Sequence, residues 1–276
     1  MPLVNKNVNT IPAYKLVQGP VSCTDPYAFY FNGADDSVTA DATDPIFDIT
    51  QNISISAWFQ IDPGINPPVA GTLYMIADKA SAPPGGTAGY SLYVRQNASN
   101  NKIAFSVNLN QGNPLSDRRV DFNITDFDTH HVVASFKSSS GLLNLYVDGV
   151  LEDSKIVPVT AAIPIQPSPF CIGNTNTGTL PNEFYGKLDE ISVWNTHLNL
   201  PQVQEIYNFN TNCNLNALSY AANLIAWYRM GENADWNLPT APNEWTLNNA
   251  GPLAPAGQLT SQGMIEGDRV PGIILP

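Results

Sequence analysis

ISISAWFQI, residues 53–61, alternates without a break. Ile53, Ile55, Ala57, Phe59 and Ile61 fall on one side of an extended chain, and Ser54, Ser56, Trp58 and Gln60 on the other. Successive side chains of a strand leave opposite faces, so a period of two gathers the apolar set on one face. A helix would scatter the same residues around its circumference. The segment predicts a β-strand with its apolar face on a core and its polar face outward.

The same reading extends in both directions. YSLYVR (90–95), KIAFSVNL (102–109), HHVVASF (130–136) and GKLDEISVW (186–194) are further strands. In LLNLYVDGVLEDSKIV (142–157), Asp148-Gly149 parts two apolar runs, the two-residue signal of a tight hairpin. Short strands punctuated by turn residues from Tyr27 to about Asn195 predict an all-β, two-sheet antiparallel sandwich or jelly roll. One short helix interrupts them. NLPQVQEIYNF (199–209) has Asn199 as its cap, Pro201 in its first turn, and Val203, Ile206 and Tyr207 along one face. That face predicts packing on a sheet edge.

Composition narrows the function classes. The 276-residue chain is 43% hydrophobic but only 13% charged, about half the usual share. Its 23 prolines and 19 glycines favour turns over long helices. A net charge of −12 repels phosphate backbones, which argues against nucleic-acid binding. Cys23, Cys171 and Cys213 are far apart and form no C-x-x-C, so a zinc ribbon is excluded and buried thiols are expected. The N-terminus, MPLVNKNVNTIPAYKL, lacks the apolar run of a signal peptide, and no stretch of about 20 apolar residues suggests membrane insertion.

Three regions emerge. Residues 1–25 read as an extended arm, kept from helix by Pro2, Pro12 and Pro20 with Pro26 just beyond. Residues 26–209 carry the sandwich. Residues 210–276 form an irregular C-terminal extension rich in Pro, Asn and Gly, in which 224–230 (LIAWYRM) reads as a strand completing the sandwich.

Five segments stand in a telling order: FYFNGADDSV (29–38), ISISAWFQI, HHVVASF, LYVDGVL (145–151), and YGKLDEISVW leading to LNLPQVQEIYN (198–208). This series resembles the laminin-G-like, concanavalin-A-like jelly roll over roughly residues 27–208. Two departures accompany the resemblance. Thr129 stands where many members place a tryptophan before the double histidine, and LIAWYRMGE (224–232) follows the helix, whereas its counterpart usually precedes the first corner.

The resemblance implies a structural Ca²⁺ held by Asp189 and by the backbone at Asn32 and Gly33. The competing reading makes Asp35-Asp36 a plain turn, since Asp hydrogen-bonds nearby backbone. Trp58, Tyr74, Tyr93, Arg95 and Tyr146 are the candidate sugar-binding residues, each aromatic reading equally as core packing. No catalytic residue is assigned. The paired carboxylates of related glucanases are missing from KLDEISVW, and no other catalytic motif is present.

Three functions compete. The first is a non-enzymatic structural or adhesion protein of a phage or virus particle, a head decoration, fibre or tail component. It would be made in the host cytoplasm, contact copies of itself or other virion proteins, and recognise a surface glycan. Its support is the Asn/Thr-rich composition, the arm, and a resemblance to marine phage proteins that combine this jelly roll with a WYRMGE-type run. The second is a free lectin-like carbohydrate-binding module, and the third a glycoside hydrolase.

Overall fold

The computed structural model describes residues 26–42, 44–64, 71–80, 88–96, 100–109, 118–158, 162–175, 182–208, 214–236 and 244–272. The predicted arm at 1–25, Cys23 and Cys213 lie outside the described residues. In chain order the strands are β1 (Tyr27–Asn32), β2 (Ser37–Ala40), β3 (Ile53–Ile61), β4 (Leu73–Ala80), β5 (Ala88–Gln96) and β6 (Asn101–Leu109). Next come β7 (Arg119–Ile124), β8 (His130–Lys137), β9 (Leu142–Val147), β10 (Val150–Ile156), β11 (Cys171–Ile172) and β12 (Tyr185–Trp194). The one α-helix among the described residues, α1 (Leu200–Asn208), precedes β13 (Leu224–Tyr228), β14 (Ala234–Trp236), β15 (Trp245–Leu247), β16 (Leu259–Gln262) and β17 (Arg269–Pro271).

Two antiparallel sheets form a jelly-roll sandwich. The first runs β10-β9-β8-β3-β12-β1-β17, with β13 also on β12, and the second runs β14-β15-β16-β2-β11-β4-β5-β6-β7. Alternation along each strand supplies the shared core. Ile53, Ile55 and Phe59 of β3 and Leu143 and Leu145 of β9 join Leu92, Phe105 and Val107 of the second sheet in one apolar cluster. The β9–β10 hairpin turns at the predicted pair. Asp148 and Gly149 have φ of 49° and 75°, the positive values a two-residue type I′ turn needs.

β3 departs from the half-buried strand expected of it. Eight of its nine residues are buried. It is central, between β8 and β12, and its polar face is roofed by α1 and the chain beyond it. Its serines are satisfied locally, as buried hydroxyls must be. Ser54 Oγ donates to the Thr196 carbonyl at 2.8 Å and accepts from the Leu198 N–H at 2.9 Å. Ser56 Oγ lies 2.8 Å from His131 Nε2.

The helix begins as predicted and packs beside the β10 edge of the first sheet. Asn199 Oδ1 accepts from the Gln202 N–H at 3.2 Å, and Gln202 Oε1 accepts from the Asn199 N–H at 3.0 Å. This reciprocal pair caps the first turn. Val203 and Ile206 then bury against Val133, Tyr146 and Trp194. The helix thus lies over the outer face of the first sheet next to its β10 edge, where Gln204 Nε2 donates to the Gly149 carbonyl at 3.4 Å.

The C-terminal segment is woven into both sheets. β13 pairs with the second half of β12 (Ile191 opposite Tyr228, Val193 opposite Ala226), on the side where β1 pairs with the first half (Phe29 opposite Leu188). The strand expected at 224–230 is therefore present, and four more follow it: β16 pairs with β2, β17 with β1, and β14 and β15 extend the second sheet. Ile225, Ala226 and Tyr228 enter the main core, while Leu224 and Trp227 face the helix side.

Candidate ligand-binding face

A sandwich offers a ligand two outer sheet faces. On the first sheet that face is sealed. Trp58, 4% exposed, lies against the rings of His131 (4.8 Å between centroids) and Tyr207 of α1 (5.7 Å). Tyr146, 2% exposed, packs with Val203 and Ile206, and its Oη accepts from Asn144 Nδ2 at 2.9 Å. Burial pushes His131 down to about 3, so it stays neutral beneath the helix. Trp58 and Tyr146, expected to meet sugar, are structural contacts of the helix. Tyr74 packs on the rim of the main core and donates to Gln96 Oε1 at 3.1 Å. The structure does not bring these three together with Tyr93 and Arg95.

Tyr93 and Arg95 belong to the outer face of the second sheet. Along β5, Tyr90, Leu92 and Val94 enter the core, so Ser91, Tyr93 and Arg95 point away from it. Cross-strand register builds a polar row here, beside a buried apolar cluster of Leu73, Met75, Tyr93 and Ala104. One transverse row crosses all nine strands through Asp235, Thr246, Thr260, Thr39, Cys171, Asp78, Ser91, Ser106 and Arg119. Two shorter rows lie beside it, Met75-Tyr93-Ala104-Asp121 and Leu73-Arg95-Lys102-Asn123.

The electrostatics divide along this surface. Asp78 is buried and accepts from Ser91 Oγ at 2.6 Å, and burial raises its carboxyl to about 7. Burial also pushes the adjacent Cys171 thiol up to about 12, which makes it inert. On the far strands cations gather. Lys102 Nζ and Arg119 Nε lie 2.7 Å and 3.2 Å from the two carboxylate oxygens of Asp121. Burial alone would raise Asp121, but these two cations outweigh it and hold the group below the ordinary range. Arg118 Nη1 donates to Asn108 Oδ1 at 2.6 Å. The sequence reading missed Lys102, Ser106, Arg118 and Arg119. The available signal was the adjacent Arg118-Arg119 pair in a chain with 12 Lys and Arg residues.

The residues expected to hold calcium do not converge. Asn32 lies opposite Tyr185, whereas Asp189 lies opposite Trp58, four residues further along β12. Asp189 is wholly buried rather than on a rim, and its Oδ1 accepts the Glu190 N–H at 2.8 Å. The corner itself is tied by local bonds. Asn32 Oδ1 accepts from the N–H groups of Ala34 (2.7 Å) and Asp35 (3.2 Å), and Asp36 Oδ2 accepts from the Asn32 N–H at 2.8 Å. Gly33 makes the turn with φ of 71°. These are the bonds of an Asx-type turn. Among the described residues no group of three or more His, Cys, Asp or Glu is arranged to hold a metal ion.

Two antiparallel sheets, a helix sealing one outer face and a polar row across the other define a lectin-like jelly roll. The chain belongs to the concanavalin A-like lectin/glucanases superfamily, whose family model matches residues 32–204. No curated protein matches it in sequence. Among solved structures it is similar to a protein of Bacteroides ovatus assigned to carbohydrate binding, with 12% identity, 87% of this chain and 58% of that one covered, and a TM-score of 0.55. The chain thus spans a little over half the length of that relative. It is also similar to the heptameric SAP-like pentraxin of Limulus polyphemus (15% identity, 66% of this chain and 82% of that one, TM-score 0.46). A third is the ligand-binding domain of botulinum neurotoxin serotype D in complex with N-acetylneuraminic acid (13% identity, 71% and 44%, TM-score 0.46). At such identities the likeness concerns the fold alone. Among the described residues no helix is long and apolar enough to cross a membrane.

Proposed function

We propose that this chain is a non-catalytic, lectin-like domain that binds carbohydrate on the outer face of its second sheet. The observation that carries the reading is the contrast between the two outer faces. One is closed by an apolar layer under α1, and the other carries a hydroxyl-rich row whose middle members, Asp78, Ser91 and Ser106, are buried, with the partly exposed charged side chains of Arg95, Lys102, Arg119 and Asp121 at its β5–β7 end. Sugars are recognised by such arrays of short polar groups beside an aromatic ring. The two carboxylates of this face, Asp78 and Asp121, are too far apart to act as a hydrolytic pair. Asp78 and Asp121 stand on strands separated by β5 and β6, three strand spacings or roughly 14 Å. Glycoside hydrolysis needs its two carboxyl groups within roughly 5–9.5 Å.

A glycan array with the full chain tests the reading. Binding that is lost in Asn123→Trp, which places a bulky ring on the exposed end of this face, supports it; a chain that binds no glycan, or one that cleaves its ligand, overturns it. The narrower reading, a component of a phage or virus particle, rests on composition and on the Pro-rich arm of residues 1–25. Its test is the oligomeric state of a chain lacking those residues. An unchanged assembly would remove the arm as a clasp.

A further inference from the structure

Cations are scarce in this chain and unevenly placed. Of its 12 Lys and Arg residues, four (Arg95, Lys102, Arg118 and Arg119) stand together at the β5–β7 end of the second sheet, in a molecule of net charge −12. Arg95 and Lys102 are direct cross-strand partners. Three guanidinium groups, those of Arg95, Arg118 and Arg119, act electrostatically on one phenol, Tyr93. Like charges brought to one point repel one another unless an anion lies between them. The carboxylate on this patch, Asp121, is already shared by Lys102 and Arg119. Arg95 has no carboxylate partner among the described residues.

A second observation is independent of charge. Tyr93 Oη and Ser106 Oγ are wholly buried on this same face, and among the described residues neither makes a hydrogen bond of full geometry, although Ser106 and Arg119 both stand within reach of the Tyr93 hydroxyl. Their unused polar capacity lies beside the Arg119 guanidinium. Buried polar groups are normally satisfied, and exceptions mark places where another molecule supplies the partner.

We infer that this cluster is an anion subsite and that, resting on the reading of the face as a glycan surface, the sugar it takes is acidic. A carboxylate or sulfate group would be gripped by the guanidinium forks of Arg95, Arg118 and Arg119, whose planar paired donors match its oxygens. Tyr93 and Ser106 form the polar floor beneath it. The overall negative charge selects against long polyanions and leaves a short ligand with isolated charges as the fitting class.

Calorimetric titration of the full chain with cellotriose, trigalacturonate, a sulfated carrabiose and sodium sulfate separates the alternatives. The expected result is that trigalacturonate or the sulfated sugar binds on the order of tenfold or more tighter than cellotriose, that Arg95→Gln removes that advantage, and that added salt weakens it. Arg118→Gln provides a second reading if Arg95→Gln fails to fold, and Lys137→Gln, an exposed cation of the first sheet, leaves binding unchanged. Equal binding of neutral and acidic sugars, unaltered by both arginine variants, would overturn the anion subsite and leave the lectin reading standing. Arg95-dependent binding of sulfate with no sugar bound would keep the subsite and remove the glycan. No binding of any probe would overturn both.

Discussion

Arg229 Nε lies 2.9 Å from Glu190 Oε1, one rung beyond the Ile191–Tyr228 pair that joins β13 to β12. The other carboxylate oxygen of Glu190 accepts from Trp227 Nε1, and the Arg229 guanidinium sits 5.3 Å from the Trp227 ring centre. Glu190 reaches this position through a bulge. Its φ is 47°, and the register of β12 on β3 shifts between Asp189 and Ser192. A bulge re-aims one side chain out of alternation, and here it delivers the carboxylate to the incoming C-terminal strand.

Removing one member of this largely buried pair leaves the other uncompensated, at a cost of about 3–5 kcal/mol. Arg229→Met is expected to destabilise the chain by about that amount. Adding Glu190→Gln to it should cost less than the sum of the two single changes. Urea denaturation of the four species measures this; strict additivity would mean that the pair does not couple the strands.

His130 makes a pH-dependent clamp. Its Nδ1 and Nε2 each lie 2.8 Å from a carboxylate, Asp148 Oδ2 and Asp126 Oδ1, so both ring nitrogens donate and the ring is held as imidazolium. Asp148 is the larger cause and Asp126 adds to it; together they outweigh burial and raise His130 to about 9. A raised folded value means that the contribution is complete below about pH 6.5 and is lost as pH rises through about 9. For a half-buried pair screened by solvent, about 2 kcal/mol is expected. Melting temperatures of wild type and His130→Gln should therefore differ most near pH 6 and converge by pH 10. A constant gap across that range would refute the clamp.

How far the sequence carried this picture depended on the range of the contacts involved. The alternation of residues 53–61, the Asp148-Gly149 turn and the Asn199 cap are local, and each is found where it was read. The burial of Ser54, Ser56 and Trp58 was illegible because their cover comes from residues about 75 to 150 positions away. The partnership of β2 with β16 had the same cause. The basic cluster exists only through the register of β5, β6 and β7, which no single segment encodes. The corner motif and Asp189 were each recognisable locally, but their separation along β12 is set by register, which neither segment encodes.

Asp36 should act in the opposite sense to His130. It is wholly inside the corner, its Oδ1 has no hydrogen-bond partner, and burial, assisted by the charges of Asp268 and Asp35, raises it to about 6. A carboxyl raised in the folded state binds its proton more tightly there than when unfolded. Stability therefore falls as pH rises from about 4 to about 6, and stays lower above. Asp36→Asn, which keeps an acceptor for the Asn32 N–H, is expected to gain about 1–2 kcal/mol at pH 8 and little at pH 4. Thermal melts at the two pH values, in calcium and in chelator, check this. A calcium-dependent gain in the wild type that Asp36→Asn abolishes would instead place a cation on the orphaned oxygen.

Trp58 and Tyr93 separate packing from recognition. Both are aromatic and buried, yet Trp58 stacks beneath Tyr207 on the helix side while Tyr93 lies among the arginines of the opposite sheet. Trp58→Ala should open a cavity under α1 and cost about 3–5 kcal/mol, with the glycan affinity of the remaining folded molecules unchanged. Tyr93→Phe removes only a hydroxyl whose neighbours, Ser106 and Arg119, do not reach full hydrogen-bond geometry, so stability should change little. Affinity for an acidic sugar should fall if that hydroxyl contributes to the floor of the subsite. Denaturation midpoints and titrations on the two variants give four numbers whose pattern is decisive. Loss of affinity in Trp58→Ala with none in Tyr93→Phe would move the binding face to the helix-covered sheet, against the burial that closes it.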